Sequence, residues 1–240
     1  MTPYWSSEQH DLSIYHGDCL EVMPALGREF QCFVTDPFYG VDGGKQHHPP
    51  PVKVQYNDAA WSDTPDEVRR VAVPTIIQCI DRTERGAVTP GQRCMFDYPA
   101  PQGVGGFWSP AGVGMGPWGF SVVHHILYYG MDWRRGIGIW PTGCRMDGRG
   151  TYPGHPCPKP LPAWSWLVEK IAKPTDTVLD PFLGSGTTLV ACYRLGPAGV
   201  GIELEEKYCE LAARRLEQEI AQGRLFEPAE VAGPTQMAMI

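Results

Sequence analysis

The stretch Thr177-Val-Leu-Asp-Pro-Phe-Leu-Gly-Ser-Gly-Thr-Thr-Leu-Val-Ala191 decides the fold. It predicts a buried strand, a glycine-rich turn and the start of a helix, and Glu203 ends the strand that follows. This order is typical of the mononucleotide-binding half of a doubly wound α/β fold. Gly184 and Gly186 permit a tight turn and a close approach of the backbone, so that the N–H groups at the helix start face a ligand.

The side chains around this turn indicate which ligand it binds. Glu203 follows Gly184 at close to the roughly 20-residue spacing expected of an acid that binds ribose hydroxyls. Asp180, at the edge of the turn, would repel a pyrophosphate, and Leu189 stands where the third glycine of a dinucleotide-binding fingerprint belongs. A ligand with a ribose diol, a positive charge and no phosphate fits better, and S-adenosylmethionine is such a molecule.

A second acid follows a buried strand in the segment Val34-Thr-Asp-Pro-Phe-Tyr-Gly40. Asp-Pro often simply ends a strand, but two strand-end acids in one chain would face the same crevice at the carboxyl edge of a sheet. The Asp36 carboxylate and the Pro37 carbonyl could accept both N–H bonds of an exocyclic amine, leaving its lone pair aimed at a methyl donor. Tyr39 or Phe38 supplies a ring on which an extruded base can stack, worth about 1–3 kcal/mol.

These motifs together resemble those of the amino-methylating DNA methyltransferases. Asp36-Pro-Phe-Tyr39 precedes Asp180-Pro-Phe-Leu-Gly-Ser-Gly-Thr-Thr188, which is the order of the permuted β group. His155-Pro-Cys-Pro-Lys-Pro160 is similar to the family's His-Pro-x-x-Lys-Pro, and Gly17-Asp-Cys-Leu20 matches the segment that normally lies just before the catalytic motif. The resemblance implies a Rossmann-like, class I S-adenosylmethionine-dependent methyltransferase fold, with a mostly parallel central sheet, helices on both faces and a permuted motif order.

The resemblance also implies a role for each matching position. The catalytic loop would consist of Asp36, Pro37, Phe38 and Tyr39. The residues implied for the cofactor are Asp18, Cys19, His155, Lys159, Asp180, Pro181, Phe182, Gly184, Ser185, Gly186, Thr187, Thr188 and Glu203. Among them Glu203 would bind the ribose hydroxyls, Asp18 the adenine amine, and Lys159 the methionine-carboxylate end.

The leading acid of the catalytic motif bears on the target base. Asp36 resembles the adenine-N6 enzymes, whereas cytosine-N4 enzymes more often have serine there. The predicted activity is site-specific transfer of a methyl group from S-adenosylmethionine to N6 of adenine in DNA, by base flipping and direct in-line transfer. The open alternatives are cytosine-N4 methylation, methylation of RNA or protein amines, and a catalytically silent DNA-binding relative. Phe38 departs from the family, which usually has a loop-stiffening proline at that position.

The net charge of −7 argues against a protein that coats nucleic acid nonspecifically. It does not exclude a DNA enzyme, because the local distribution of charge matters more than the sum. The segment from Met131 to Pro160 is locally basic, and its candidate DNA contacts are Arg134, Arg135, Arg145 and Arg149. Double-stranded DNA is the expected partner, and a homodimer is implied by the resemblance.

Composition and length predict a single methyltransferase domain over residues 1–240, with a short variable, target-recognition region at about 82–154. No apolar run approaches the roughly 20 residues needed to span a membrane, and the N-terminus does not resemble a signal peptide. A cytoplasmic protein of a bacterial or phage-infected cell is expected, serving restriction-modification, phage protection or regulation. The eight cysteines contain no CxxC pair, and Cys144, His155 and Cys157 match no zinc spacing, so we expect reduced thiols and no metal.

The remaining segments are assigned from periodicity and turn residues. Besides the strand before the glycine turn and the strand that ends at Glu203, the predicted strands are Leu12–His16, Gln31–Thr35, Arg93–Asp97 and Phe120–Tyr129. The predicted helices are Leu20–Leu26, Thr64–Glu84 with a kink at Pro74, Leu161–Lys173 and Glu205–Glu219. A long loop is expected at Phe38–Ser62, and a short hairpin around Ile137–Trp140.

Overall fold

The structure, a computed structural model, describes residues 1–27, 29–41, 62–110, 112, 114–116, 118–134, 141–147 and 158–223. Its strands are β1 (Trp5–Ser7), β2 (Leu12–His16), β3 (Cys32–Thr35), β4 (Arg85–Val88), β5 (Gly103–Trp108), β6 (Gly114–Gly116), β7 (Gly119–Ser121), β8 (Val123–Gly130), β9 (Gly143–Arg145), β10 (Thr177–Asp180) and β11 (Ala198–Glu203). Its helices are α1 (Cys19–Ala25), α2 (Pro65–Glu67), α3 (Val73–Arg82), α4 (Leu161–Ile171), α5 (Thr187–Leu195) and α6 (Glu206–Gln222).

Nine of these strands form one sheet in the order β1-β2-β11-β10-β3-β4-β8-β5-β9. From β2 to β4 every neighbouring pair is parallel, whereas β1 is antiparallel to β2, and β8 is antiparallel to both β4 and β5. Strands β6 and β7 pair with each other outside this sheet. A mostly parallel sheet with helical crossovers confirms the predicted α/β fold class.

The central strands are buried on both faces, because helices cover each side of the sheet. On one side, residues such as Trp164, Leu189 and Leu216 of α4, α5 and α6 pack against the sheet. On the other side, α1 and α3 do so through residues such as Met23 and Ile76. Such strands read as continuous apolar runs, which is why β3, β10 and β11 are recognisable in the sequence.

One predicted strand is wrong. Residues Met95–Asp97 form a 3₁₀ helix, so no strand covers Arg93–Asp97, and the strand of this region is β4. The sequence pattern does not indicate β4 as a buried strand, because the strand begins with the charged residue Arg85. In the fold Arg85 is buried, donates from Nε to the Ile171 carbonyl at 2.8 Å and forms an ion pair with Asp176. Tertiary partners therefore permit a charge in a core strand, as buried charges require.

The other predicted elements in the described residues are found with small shifts of their ends. The helix predicted at Thr64–Glu84 begins as α2, where the Thr64 hydroxyl accepts the Glu67 N–H at 3.3 Å, and continues to the end of α3. A π-helical turn at Val68–Ala72 precedes Pro74, at the site of the predicted kink. The hairpin predicted around residues 137–140 and most of the loop at 38–62 lie outside the described residues. Within the described part of the chain, none of the helices combines the length and apolarity that crossing a bilayer requires.

Candidate active site

The ends of three adjacent strands bring the predicted acids to one edge of the sheet. Asp36 directly follows β3, while Asp180 and Glu203 are the last residues of β10 and β11. Thr35 donates from Oγ1 to Asp180 Oδ1 at 2.6 Å, which joins the ends of β3 and β10. A cavity at this edge is lined by residues of both predicted motifs, including Asp36, Lys159, Asp180, Phe182, Gly184 and Thr188. The catalytic and cofactor motifs therefore share one crevice.

The glycines of the turn after β10 are required by its backbone. Gly184 and Gly186 have φ values of 53° and 77°, in the left-handed region that disfavours other residues. A Cβ on Gly186 would also lie 2.9 Å from the Cβ of Ala212 in α6. The turn can therefore be tight and close to α6 only because both positions are glycine.

Arg215 of α6 holds the same turn from beneath, a role that the sequence did not indicate. Its guanidinium is buried and donates from Nη1 to the Ser185 carbonyl at 3.0 Å and to Thr187 Oγ1 at 2.9 Å. These bonds join α6 to the residues that begin α5. In the sequence, Arg215 is one of several charges on an amphipathic helix, so nothing distinguishes it from its solvent-exposed neighbours.

Glu203 is buried at the end of β11 and accepts two backbone hydrogen bonds. Gly184 donates its N–H to Oε2 at 2.8 Å, and Glu205 donates its N–H to Oε1 at 2.9 Å. Desolvation of the carboxylate outweighs these bonds and raises the pKa of Glu203 to about 7. The predicted spacing of this acid from the glycine turn thus becomes a direct contact between them.

Asp18 lies at the same sheet edge as Glu203, because β2 and β11 pair in parallel and Gly17 donates its N–H to the Glu203 carbonyl at 2.9 Å. Asp18 caps α1, with Oδ1 accepting the N–H of the residue at position 20 at 2.8 Å. The next predicted cofactor residue, Cys19, instead turns its buried thiol to Thr75 Oγ1, 3.2 Å away. Burial raises the pKa of this thiol to about 11. Its side chain therefore belongs to the apolar core on the side of the sheet covered by α1 and α3. Only its backbone is left for the predicted role.

Asp180 accepts hydrogen bonds from three groups of the site. Besides the Thr35 hydroxyl, it accepts the Phe182 N–H at 3.1 Å and the Thr188 hydroxyl at 2.5 Å. Thr188 in turn accepts the indole N–H of Trp164 at 2.8 Å. Complete burial raises the pKa of Asp180 to about 6 despite these donors. The side chain thus organises the glycine turn in addition to lining the crevice.

Asp36 lies within a network of four polar side chains, of which the sequence indicated two. Its Oδ1 accepts hydrogen bonds from the hydroxyls of Tyr39 and Thr89, and its Oδ2 forms an ion pair with Lys159. The Tyr39 hydroxyl also lies 2.6 Å from Nε2 of His124. Thr89 and His124 lie at the ends of other strands, so no motif near Asp36 in the sequence indicates them.

Lys159, predicted at the methionine end of the cofactor, contacts the catalytic loop in this structure. Its buried ammonium pairs with Asp36 and lies 5.2 Å from the centre of the Tyr39 ring. Nearby, Phe38 packs edge-to-face on Phe182, with ring centroids 6.0 Å apart. This contact connects the two motifs and supports the loop at the position where the family usually has proline.

Arg134, a predicted DNA contact, is largely buried in this structure. Its guanidinium donates to the half-exposed Glu169 at 3.3 Å and lies 4.7 Å from the centre of the Trp133 ring, so its charge is engaged within the chain. Arg145 is exposed, bonds to Asp147 at 2.6 Å and lies over Trp108, and it remains a candidate. The predicted residues Arg135, Arg149 and His155 lie outside the described residues.

Comparisons with known proteins agree with this geometry. A family model described as DNA methylase, N6_N4_Mtase, matches residues 132–214, which include α4, the glycine turn and β11. Type II methyltransferase M2.DpnII of Streptococcus pneumoniae is 45% identical over 69 residues, 27% of this chain and 24% of that protein. Type II methyltransferase M.HpaI of Haemophilus parainfluenzae is 38% identical over 65 residues, 27% of this chain and 21% of that protein. The chain thus spans about a quarter of the length of these curated relatives.

Solved structures resemble this one over most of its length. The M1.HpyAVI–SAM complex superposes with a TM-score of 0.64 at 18% identity, covering 85% of this chain and 98% of the other. The PvuII DNA methyltransferase, described as cytosine-N4-specific, gives a TM-score of 0.62 at 14% identity, covering 91% of this chain and 93% of the other. The fold is therefore that of the class I, Rossmann-like methyltransferases. Residues 132–214 match the N6/N4 DNA methylase family model, in agreement with the resemblance of the motifs.

Proposed function

We propose that this chain methylates DNA, transferring a methyl group from S-adenosylmethionine to N6 of adenine. The observation that carries the proposal is the meeting of the two motifs in one crevice. The Phe38 ring packs on Phe182 of the glycine turn, and Asp36 and Asp180 line the same cavity. An amine held at Asp36 would thus lie close to a cofactor held at the turn.

The residues of the turn fit S-adenosylmethionine. The Glu203 carboxylate accepts one N–H at each oxygen, and each oxygen retains a lone pair for a ribose hydroxyl. A cationic ligand would favour the ionised forms of Asp180 and Glu203, whereas a pyrophosphate beside these acids would be repelled. When bound, the cofactor would supply an electrophilic methyl group on a positively charged sulfur.

The catalytic loop would act by positioning the amine and stabilising charge. The Asp36 carboxylate and the Pro37 carbonyl would accept the two N–H bonds of the base, which favours a nitrogen whose lone pair points towards the cofactor. No covalent intermediate with the protein is needed, so orientation and preorganised charge would provide most of the rate. The base would reach the loop by flipping out of the duplex, at a cost of a few kcal/mol.

Adenine is preferred because the motif begins with Asp36, and cytosine-N4 is the competing outcome, since one solved neighbour is described as specific for it. We further propose one domain over the whole chain, with target recognition between residues 82 and 154. Strands β4, β5 and β8 occupy part of that range in the core sheet, so a short or degenerate site is expected. A second copy of the chain could add contacts to it.

The test is to incubate the protein with duplex DNA and S-adenosylmethionine labelled in its methyl group, and then to digest the DNA to nucleosides. Label in N6-methyladenine is expected, and label in N4-methylcytosine would overturn the choice of base. Label that appears only with RNA or protein substrates would overturn DNA as the substrate, and no transfer at all would refute the activity. Asp36→Ala is the matched control, which should lose turnover while calorimetry shows only a modest loss of cofactor affinity.

A further inference from the structure

We infer that His124 is a positioning residue for the proposed methyl transfer. It orients the Tyr39 hydroxyl towards Oδ1 of Asp36, which leaves Oδ2 as the oxygen that receives the amine. This inference rests on the proposed function and specifies how its catalytic carboxylate is oriented.

The imidazole of His124 is held firmly within reach of the catalytic loop. It stands on β8 opposite Phe107 of β5, and its side chain is only 11% exposed. Its Nε2 lies 2.6 Å from the Tyr39 hydroxyl but 4.0 Å from Asp36 Oδ1. The rings of Tyr39 and Phe107 meet it edge-on, with centroids 5.3 and 6.5 Å away. His124 therefore acts on Asp36 through the phenol oxygen of Tyr39.

The direction of the hydrogen bonds follows from counting protons. The phenol of Tyr39 has one proton, which it donates to Asp36 Oδ1. Its oxygen can then only accept from His124, so Nε2 must carry a proton. Burial lowers the pKa of His124 to about 4, and the ring is neutral near pH 7 with its single proton on Nε2. The hydrogen bonds therefore run from His124 to Tyr39 and from Tyr39 to Asp36.

The two oxygens of Asp36 consequently have different tasks. Oδ1 accepts hydrogen bonds from two hydroxyl groups, those of Tyr39 and Thr89. Oδ2 is paired with the ammonium of Lys159, which is carried on a flexible aliphatic side chain. That ammonium lies beside a carboxylate and 5.2 Å from the centre of the Tyr39 ring, which is the pair of contacts proposed for the flipped base. The target amine and the Lys159 ammonium would compete for Oδ2, so Lys159 has to withdraw when the base enters.

The test compares two replacements of His124 in this chain. His124→Gln keeps an N–H donor at a similar reach, whereas His124→Leu keeps bulk and removes the donor. We expect His124→Leu to lower kcat at saturating DNA by about 10- to 100-fold, with cofactor affinity by calorimetry nearly unchanged, and His124→Gln to restore most of the rate. His125→Leu is the matched control, because the next side chain on a strand points to the opposite face.

A double variant tests whether the effect passes through Tyr39. Tyr39→Phe should lower kcat about as much as His124→Leu, and the two changes together should cost little more than either alone. If His124→Gln is as slow as His124→Leu, or if the two losses multiply, the inference is wrong. If His124→Leu does not fold, kcat of Tyr39→Phe is compared with kcat of Tyr39→Phe/His124→Gln. The two values should be nearly equal, and a much slower double variant would overturn the inference. An inactive wild-type protein would instead refute the proposed function, so the two failures are distinguishable.

Discussion

Replacing Glu203 with glutamine tests the buried carboxylate that we propose for the ribose hydroxyls. Its two oxygens accept the N–H groups of Gly184 and Glu205, at 2.8 and 2.9 Å. A glutamine side chain has one acceptor oxygen, and its NH₂ group would face the second N–H. One buried donor then loses its acceptor, which costs about 1–3 kcal/mol.

The dependence of the free energy of unfolding on pH reports the ionisation of the Glu203 carboxylate, separately from this lost hydrogen bond. Burial raises the pKa of Glu203 from 4.5 to about 7. Between these two values the folded protein keeps a proton that the unfolded chain has released, so the free energy of unfolding falls as the pH rises through this range. At about 1.4 kcal/mol per pH unit, the fall due to Glu203 is about 3 kcal/mol. Glutamine does not titrate, and the variant should lack this part of the fall.

Urea denaturation at pH 5 and pH 8, with calorimetry of S-adenosylmethionine binding, measures both effects. Between these pH values the wild-type protein should lose about 2–3 kcal/mol more stability than Glu203→Gln. Cofactor affinity of the wild type should rise as the pH passes 7, because the ionised carboxylate is the better acceptor, and the variant should bind weakly at both pH values. Glu206→Gln, an exposed acid in the first turn of α6, is the control. A Glu203→Gln protein with wild-type affinity, or with the wild-type dependence of stability on pH, refutes the reasoning.

Three further predictions concern the glycine turn and the basic segment. Gly186→Ala should destabilise the protein by about 2–5 kcal/mol, because its φ of 77° and the 2.9 Å approach to Ala212 both oppose a Cβ; a change in urea unfolding below about 1 kcal/mol would contradict this. Arg215→Met should weaken cofactor binding in calorimetry by removing the donors to the Ser185 carbonyl and Thr187, whereas unchanged affinity would show that the turn holds its shape alone. Arg134→Ala should lower the melting temperature but leave the slope of log affinity for DNA against log salt unchanged, whereas losing a phosphate contact reduces that slope by about 1.

The acids of the crevice could be predicted because each ends, or directly follows, a strand that is buried on both faces. Such strands read as short apolar runs, and the acid or proline that ends each run is visible in the sequence. The same rule failed for β4, because Arg85 at its start is charged and needs Asp176, a distant partner, to be buried. A local excess of positive charge likewise did not indicate that Arg134 would be largely buried and paired with Glu169.

The sequence by itself determined the α/β fold, the order of the two motifs and the acids that meet at the sheet edge, since all three depend on local apolar runs and on turn residues. Only the tertiary structure decided which polar side chains surround those acids. Lys159 and His124 reach the catalytic loop from distant segments, and Arg215 reaches the glycine turn from α6. Periodicity reports which face of an element is apolar, but it carries no information about which hydrogen-bond donors meet when separate elements pack together.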